Sequence, residues 1–296
     1  MQIAQVNRYP LKSGSADQLN ECEMAFTGLA FDRHWMVVTE SGRFISQRDK
    51  GAQRLALVRA VLSEEGLGLF APEMDPLLIP LEVAAGKRGM VQVHDKVCEG
   101  IDAGDEAARW INAYLPPWKN ERFRLVCFPR DYVRETKDIY TQLDTAVTQF
   151  ADGYAVLITS EGSLEDLNHR LEERGVGPVR MSVFRSNLVL TGVEPWQEDG
   201  LKRLQIGEVV LEVVKPCGRC PITGVNQEEG KFSSKPQEPR ETLKSFHSGR
   251  HLLEKFPDLE SALLDKPMFG QNAVVVKTGT VRIGDEVKVI SRRGSL

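Results

Sequence analysis

The segment VVKPCGRCPITGVNQEEG, residues 213–230, decides how the rest of the chain is interpreted. Its β-branched residues predict a strand that leads into Cys217 and Cys220. Arg219 lies between the two cysteines, and Gly224 predicts a turn after them. This arrangement allows four interpretations: a zinc clip, a redox dithiol, a soft ligand for another metal, or two buried thiols.

The spacing of the cysteines weakens two of these interpretations. With His247 and His251, Cys217 and Cys220 offer the ligand types of a tetrahedral zinc site. Residues 221–246 separate the pairs, however, an interval about twice the 12–15 residues typical of a zinc finger. A redox dithiol normally begins a helix within a βαβ unit, whereas a polar turn is predicted here. Neighbouring charges also argue against two core thiols. The cysteines alone therefore leave the choice open.

Composition and charge narrow the class of protein. The chain has 296 residues, a hydrophobic content of 41% and a charged content of 27%, which predict a globular protein of one large or two moderate domains. A net charge of −4 gives no basic field for nucleic acid. No apolar run reaches the roughly 20 residues that span a bilayer, and the N-terminus has no export signal, so no membrane partner is expected.

Cysteine usage predicts the cellular compartment. An odd number of cysteines at irregular spacing is a poor disulfide framework. Free thiols are typical of a reducing environment, so we expect a cytoplasmic location. The cysteines are Cys22, Cys98, Cys127, Cys217 and Cys220.

Strand patterns dominate the first part of the chain. Closely spaced apolar runs with turn residues between them predict a sandwich or barrel, and the first of these runs has the pattern of a hairpin. One helix is predicted over 104–115, and the proline-broken segment 116–122 marks the expected domain boundary. The predicted strand regions are 34–47, 55–62, 66–71, 76–81 and 89–95.

The second part combines further strands with short helices. The segments 204–214 and 281–290 share the pattern Ile-Gly-acidic-X-Val, which predicts two equivalent hairpins of one barrel. An amphipathic helix is predicted over 163–175, with shorter ones at 239–246 and 258–265. The remaining predicted strands are 123–128, 155–159 and 186–192.

The Cys-x-Arg-Cys segment resembles the cysteine motif of the MOSC family, the molybdenum cofactor sulfurase C-terminal domain. Other motifs of that family follow in the same order along nearly the whole chain. The resemblance is greatest to its two-domain subgroup, which includes YcbX-type proteins and the mitochondrial amidoxime-reducing component. The matching segments are RYPLKS (8–13), GLAFDRHWMVV (28–38), FISQR (44–48), FADGYAVLITSEGSLEDLN (150–168), FRSNLVL (184–190), EPRETLKSF (238–246) and FGQNAVVVKTGTVRIGDEV (269–287).

This resemblance implies a mainly β fold with some α structure, built from two β-barrel-like domains. Residues 1–120 are expected to form the MOSC N-terminal β-barrel domain. Residues 121–291 are expected to form the MOSC domain, a pyruvate-kinase-like β-barrel with short peripheral helices. The last residues, 292–296, have no pattern and are expected to be a disordered or cloning-derived tail.

The resemblance also implies a site at the junction of the two domains. Cys220 matches the catalytic cysteine that ligates molybdenum, a role suited to a soft thiolate, and Arg219 is expected to favour its deprotonation. Cys217 is either a supporting residue or a structural thiol. The cationic and polar positions that match the family's binding site for the molybdenum cofactor are Lys12, Ser13, Arg33, Asp152, Gly153, Arg185, Asn187, Arg219 and Asn272.

The sequence departs from the family in two places. Many relatives have Thr-Thr-Val-Asp after the cysteine motif, whereas this chain has Thr223, Gly224, Val225 and Asn226. Longer YcbX-type relatives add an iron–sulfur domain that needs four cysteines, and no cysteine follows Cys220 here. We therefore expect no Fe–S cluster in this chain and electrons from a separate flavin or ferredoxin-type donor.

The function implied is that of a molybdenum-cofactor oxidoreductase (Mo-molybdopterin) that reduces small N-hydroxylated compounds. The alternative is a non-catalytic molybdenum cofactor or sulfur carrier, with a persulfide forming on Cys220. A third possibility is a metal-free barrel that binds a small molecule or a partner.

Overall fold

A computed structural model describes residues 1–81 and 86–294. Short strands make up most of the first part, and the helix predicted over 104–115 is present as α1, Asp105–Tyr114. The strands are β1 (Gln2–Arg8), β2 (Asp17–Leu19), β3 (Glu21–Ala25), β4 (Gly28–Leu29), β5 (Trp35–Thr39), β6 (Arg59–Leu62), β7 (Leu67–Phe70), β8 (Leu77–Ile79), β9 (Arg88–Val93) and β10 (Lys96–Asp102).

The second part has longer strands and short helices around them. Its helices are α2 (Glu161–Glu173), α3 (Arg240–Phe246) and α4 (Ser261–Leu264). Its strands are β11 (Phe123–Cys127), β12 (Arg134–Glu135), β13 (Val147–Thr148), β14 (Val156–Ser160), β15 (Leu188–Thr191), β16 (Leu201–Ile206), β17 (Val209–Gly218), β18 (Val225–Asn226), β19 (Lys231–Phe232), β20 (Met268–Lys277), β21 (Gly279–Arg282) and β22 (Val287–Arg292).

A curled eight-stranded sheet carries the cysteine segment. Its order is β2-β1-β15-β14-β20-β17-β16-β22, and all neighbours are antiparallel except β14 and β15. Alternating β-branched residues in β17 place Leu211 and Val213 in a core shared with Ala273 and Val275 of β20. At its C-terminal end, β17 leaves this core and delivers the cysteines to the surface of the sheet.

A second core belongs to the smaller sheets of the first part. Strands β5, β11, β10 and β9 form one sheet, and β6, β7 and β8 form another. Helix α1 packs Ile111 and Trp110 into the same core as Trp35 and Leu125. The helix buries an apolar face against these strands, and this face is visible in the sequence as a periodic pattern of apolar residues. That pattern was enough to predict the helix.

Strand pairing crosses the predicted division at residue 120. Strand β1 pairs with β15 in the large sheet, and β11 pairs with β5 and β10. Cleft residues from both parts of the sequence are thereby brought close together. The division into 1–120 and 121–291 stays a prediction.

The mainly β fold class is confirmed, and several local predictions need correction. Residues 55–57 lie in a 3-10 turn, Ala52–Leu57, instead of a strand, and β10 was not predicted. In the predicted hairpin 34–47, β5 is regular, but the second arm makes isolated bridges, Val38–Phe44 and Arg43–Gln92, instead of a regular strand.

The prediction of two equivalent hairpins is half right. Strands β16 and β17 form a hairpin, but β21 pairs with β3 and β22 with β16. Gly207 and Gly284 both have positive φ, 55° and 86°, so the shared motif specifies the same local turn. A turn motif does not specify which strand lies alongside, because that depends on distant residues.

The C-terminal residues were predicted to form a disordered tail over 292–296. Arg292 is the last residue of β22, and Arg293 Nη2 donates to the carbonyl oxygens of Val213 and Val214 at 2.6 and 2.8 Å. Residues 295 and 296 lie outside the described ranges.

Candidate functional site

The structure brings all ten predicted site residues around one cleft of about 150 Å³. They come from distant points of the chain, and the pairing of β1 with β15 places several of them side by side. Apolar walls complete the cleft, and they were not predicted. The predicted residues are Lys12, Ser13, Arg33, Asp152, Gly153, Arg185, Asn187, Arg219, Cys220 and Asn272; the added walls include Phe44, Tyr154, Leu157, Phe184 and Ile222.

Three cleft residues have an unusual backbone conformation. Ser13, Arg33 and Arg185 have φ of 69°, 50° and 58°, in the left-handed region that non-glycine residues rarely adopt. Each such residue costs on the order of 1 kcal/mol and persists only when the surrounding structure enforces it. Concentration of this strain at one cleft is typical of a functional site.

Two half-buried arginines share one aromatic ring. The guanidinium carbons of Arg33 and Arg185 lie 4.3 and 4.4 Å from the Tyr9 ring centroid. Arg33 forms an ion pair with buried Asp32 and donates to the Arg185 carbonyl oxygen at 3.0 Å. Arg185 Nη1 donates to the Gly14 carbonyl oxygen at 2.6 Å. Tyr9 and Asp32 therefore hold both cations in place.

Arg185 retains a free donor despite its burial. Within the described ranges its Nη2 atom is buried without a hydrogen-bond partner. Desolvation, opposed mainly by the neighbouring Tyr9, lowers the pKa of Arg185 to about 10, so the side chain stays charged at neutral pH. A half-buried cation whose buried Nη2 atom has an unused N–H is poised to bind an anion.

Lys12 and Asp152 form an ion pair at the edge of the cleft. Lys12 Nζ also donates to the Phe150 carbonyl oxygen at 2.6 Å, and His94 Nε2 lies 3.0 Å from Asp152 Oδ1. Burial lowers the pKa of the Lys12 ammonium, although Asp152 opposes this shift. Partial desolvation at the cleft edge raises the pKa of the exposed Asp152 carboxyl, but Lys12 and His94 outweigh it and hold that pKa well below its usual range.

The cysteine turn separates the roles of its two thiols. Arg219 Nη1 donates to the Cys217 sulfur at 3.0 Å, and Nη2 donates to the Phe184 carbonyl oxygen at 2.6 Å. The expected contact of Arg219 with Cys220 is therefore replaced by one with Cys217. The Cys220 thiol is half-buried, lines the cleft, and receives no hydrogen bond from the part of the chain that the structure describes.

The remaining predicted residues contribute in different ways. Asn187 is buried, and its amide joins strands by accepting from Leu157 N at 3.1 Å and donating to Asn7 O at 3.2 Å. Asn272 Nδ2 lies 3.4 Å from the Pro216 carbonyl oxygen. A Cβ added at Gly153 would meet nothing within 4 Å, so this position borders open space.

Arg134 is a structural support that sequence reasoning missed. It is buried, and its Nη1 donates to the carbonyl oxygens of Gln149 and Ala151, each at 2.6 Å. These bonds shape the loop that carries Asp152. The residue lies in no recognisable motif, so the sequence contained no signal for it.

The zinc interpretation is wrong, because both candidate histidines are engaged elsewhere. His247 Nδ1 and Nε2 lie 2.9 Å from Met268 O and Asp199 Oδ2. His251 Nδ1 contacts Ser248 at the start of a 3-10 turn. Among the residues at 1–81 and 86–294, no cluster of three or more His, Cys, Asp or Glu side chains could hold a metal ion.

Close packing explains one departure from the family motif. A Cβ on Gly224 would lie 2.1 Å from the Pro236 carbonyl oxygen, and Ser233 N donates to Gly224 O at 2.9 Å. The segment around Pro236 therefore approaches the cysteine turn so closely that only glycine fits.

Comparison with known proteins assigns both parts of the chain. A family model described as "MOSC N-terminal beta barrel domain" matches residues 1–117, and one described as "MOSC domain" matches 145–288. Mitochondrial amidoxime-reducing component 1 of Xenopus laevis is 32% identical over 99% of this chain and 83% of its own length. Mitochondrial amidoxime reducing component 2 of Rattus norvegicus is 35% identical over 96% and 82%. Component 1 of Homo sapiens is 33% identical over 98% and 83%.

The predicted cytoplasmic location is wrong by this comparison, because the relatives that match over nearly the whole chain are named mitochondrial. Free cysteines indicate a reducing environment, and that condition does not single out the cytoplasm. In the described ranges, no helix is both long and apolar enough to span a bilayer.

Proposed function

The chain belongs to the MOSC domain family, and from that premise we propose that it is a molybdenum-cofactor oxidoreductase that reduces N-hydroxylated compounds. The names of the amidoxime-reducing relatives support this reaction class. One observation carries the proposal: the half-buried Cys220 lines the same cleft as Lys12, Arg33 and Arg185.

The chemistry of Cys220 fits a soft metal. A thiolate is the protein ligand best suited to a thiophilic transition metal. The sulfur faces the cleft and is not engaged by other described residues, so it is accessible to a metal carried on a pterin. Cys22, Cys98 and Cys127 are buried, and desolvation raises the pKa of all three thiols, which makes them poor ligands.

The cleft has hydrogen-bond donors without partners among the described residues, and these donors fit the organic part of the cofactor. Molybdopterin has a phosphate and a polar ring system, which need cationic and hydrogen-bonding partners. Arg185 Nη2 and Arg219 Nε are buried atoms without partners among the described residues. Lys12, Ser13 and Arg33 would bind the phosphate from one side, and Asp152, Gly153 and Asn272 would border the pterin.

The protein's contribution to the reaction is to bind, orient and exclude water. When bound, the molybdenum cofactor supplies two-electron redox and oxygen-atom transfer chemistry. Cys220 would fix the metal relative to the cleft, and the arginines would fix the rest of the group. Phe184, Leu157 and Ile222 give the cleft apolar walls that restrict water around the substrate.

The reduction consumes electrons that the chain must receive from outside. We assign their delivery to a separate flavin or ferredoxin-type protein, because reduction of an N–OH group to N–H with release of water takes up two electrons and two protons. The partner's identity is part of the proposal and rests on the family resemblance alone.

Turnover of benzamidoxime by cofactor-loaded protein with a chemical electron donor tests the proposal. Wild-type protein and Cys22→Ala, which removes a thiol outside the cleft, should both form benzamidine. Cys220→Ala should form none. Failure of fully molybdenum-loaded wild-type protein to turn over benzamidoxime would count against this substrate class while leaving the cofactor assignment standing.

The same geometry favours one alternative function. A half-buried cysteine in a cationic cleft is accessible to sulfur donors, so Cys220 could act in a cofactor or persulfide carrier. Intact mass spectrometry distinguishes the two, since a carrier gains one labile sulfur atom on Cys220 and shows no amidoxime turnover.

A further inference from the structure

A second cleft, of about 200 Å³, opens next to the first one. It lies between the segment that follows β5 and the tip of the β9–β10 hairpin. Phe44 lines both clefts, and the Lys12 ammonium lies 4.7 Å from its ring centroid, so this side chain forms the partition. The residues around the second cleft are Arg43, Phe44, Ser46, Arg48, Asp49, Gln92 and His94.

Among the described residues that line this cleft, Asp49 alone carries a carboxylate, and it is already engaged. Asp49 Oδ1 accepts from Arg43 Nη2 at 2.7 Å, and Oδ2 accepts from the backbone N and the hydroxyl of Ser46 at 2.8 and 3.1 Å. The Arg43 guanidinium also stacks on Trp118, 4.1 Å from the ring centroid. Arg43 and Asp49 thus neutralise each other and form a fixed rim.

Arg48 also lines this cleft, but its guanidinium is not neutralised in this way. No carboxylate of residues 1–81 and 86–294 forms an ion pair with it. Its Nε atom donates to the Ser46 hydroxyl at 3.2 Å. Its Nη2 atom lies 3.5 and 3.4 Å from the two ring nitrogens of His94, which is too long and too evenly shared for a strong hydrogen bond.

The second cleft therefore contains one guanidinium, that of Arg48, without a carboxylate partner among the described residues. The His94 imidazole has its Nε2 atom 3.0 Å from Asp152 Oδ1, and its other nitrogen, Nδ1, lies 3.5 Å from Arg48 Nη2, too far for a strong hydrogen bond. A guanidinium prefers a planar or tetrahedral oxyanion, which it can bind through two parallel N–H groups.

We propose that the cleft between Arg43, Arg48 and His94 binds a phosphoryl group or a related oxyanion. The two clefts share Phe44 as a lining residue, and His94 of the second contacts Asp152 of the first. The proposal does not depend on the proposed function. It requires only that Arg48 and His94 are accessible together from the second cleft.

Phosphate titration followed at the His94 ring tests this assignment. The imidazole signals are recorded by nuclear magnetic resonance at constant pH and ionic strength, and His94→Gln identifies them. Inorganic phosphate should shift the His94 signals saturably in wild-type protein. Arg48→Gln should weaken this binding by roughly tenfold, since it removes a charge-assisted contact. A tighter response to ribose 5-phosphate would identify the ligand as a phosphate ester, and an equal response would identify the free anion.

Arg59→Gln is the matched control, because it removes a surface arginine of β6 that lines neither cleft. It should leave the phosphate affinity measured at His94 unchanged. The proposal is overturned if phosphate does not shift the His94 signals saturably, if Arg48→Gln binds phosphate as tightly as wild-type protein, or if Arg59→Gln weakens binding as much as Arg48→Gln does.

Discussion

Arg219 and Cys217 are in direct contact, with the guanidinium Nη1 atom 3.0 Å from the cysteine sulfur. The second nitrogen of the same guanidinium holds the Phe184 carbonyl oxygen, so Cys217 helps to orient an arginine of the cleft. The Cys220 sulfur makes no comparable contact with a described side chain. The two thiols of the motif are thus distinguished by their neighbours: one supports the cleft wall, and the other remains available.

Cys217 should therefore tolerate replacement by a residue that can still accept a hydrogen bond. We expect Cys217→Ala to lower the free energy of unfolding by about 1 kcal/mol, because the half-buried Arg219 guanidinium loses an acceptor that water replaces only in part. Cys217→Ser should recover part of this loss. Urea denaturation of the three proteins measures the difference, and equal stability of the Ala and Ser variants would argue against a role for the contact.

Replacement of Arg185, even by lysine, should weaken binding in the cleft. Its guanidinium stacks on Tyr9, donates to Gly14 O and leaves Nη2 free, a geometry that an ammonium cannot reproduce. We expect Arg185→Lys and Arg185→Gln each to weaken the affinity of the cleft for the phosphate-bearing pterin by roughly tenfold or more. Pterin fluorescence after gel filtration reports retention. Arg59→Gln, a change of a surface arginine of β6, is the control and should retain the pterin fully.

The buried pair His247–Asp199 should make stability depend on pH. Desolvation lowers the pKa of His247, but the Asp199 carboxylate outweighs it and raises that pKa above 6.5. The folded protein therefore binds this proton more tightly than the unfolded chain. The resulting stabilisation is complete below pH 6.5 and is lost as the pH rises through the raised value.

Asp199→Asn removes the carboxylate and should cost about 3–5 kcal/mol below pH 6.5, because one member of a buried pair is left alone. The cost should shrink toward alkaline pH. Denaturation across this range provides the measurement, with His169→Gln as a control, since that histidine is exposed on α2. A cost that grows with pH would refute the sign of the argument.

Gly224 should resist replacement by the family's threonine. A side chain there collides with the Pro236 backbone, whose carbonyl oxygen lies 2.1 Å from the added Cβ. We expect Gly224→Thr to lower the melting temperature by several degrees, since overpacking typically costs about 1–3 kcal/mol. Gly177→Ala is the control, because its Cβ would meet nothing within 4 Å. Calorimetry showing no loss in Gly224→Thr would mean that the segment around Pro236 can move away.

The sequence predicted the fold class and the residues of one cleft, because ordered motifs report both together. Lys12, Arg33 and Arg185 are unremarkable singly and became informative only inside matched segments. Arg134 lies outside every matched segment, and although Tyr9 lies in the segment 8–13, nothing there indicated that its ring holds two arginines. Their contacts are made with residues far away in the chain, and single-sequence patterns encode only local periodicity.

The pairing of strands with one another could not be predicted, for a related reason. The Ile-Gly-acidic motif correctly indicated two similar turns, but the flanking strands β21 and β22 pair with β3 and β16. Spacing likewise suggested His247 and His251 as metal ligands, whereas burial gave His247 an acidic partner. Ligand types at a plausible spacing are weak evidence until their alternative partners are known.

Molybdenum content is the most direct test of the central claim, that Cys220 holds a pterin-borne metal in the cleft between the arginines. Wild-type protein and the variants Cys220→Ala and Cys22→Ala are produced in a host supplied with molybdate and analysed for metals and pterin. The account predicts nearly equimolar molybdenum in wild-type protein and Cys22→Ala, and almost none in Cys220→Ala. Equal molybdenum in Cys220→Ala, or pterin-free wild-type protein that carries zinc instead, would contradict it.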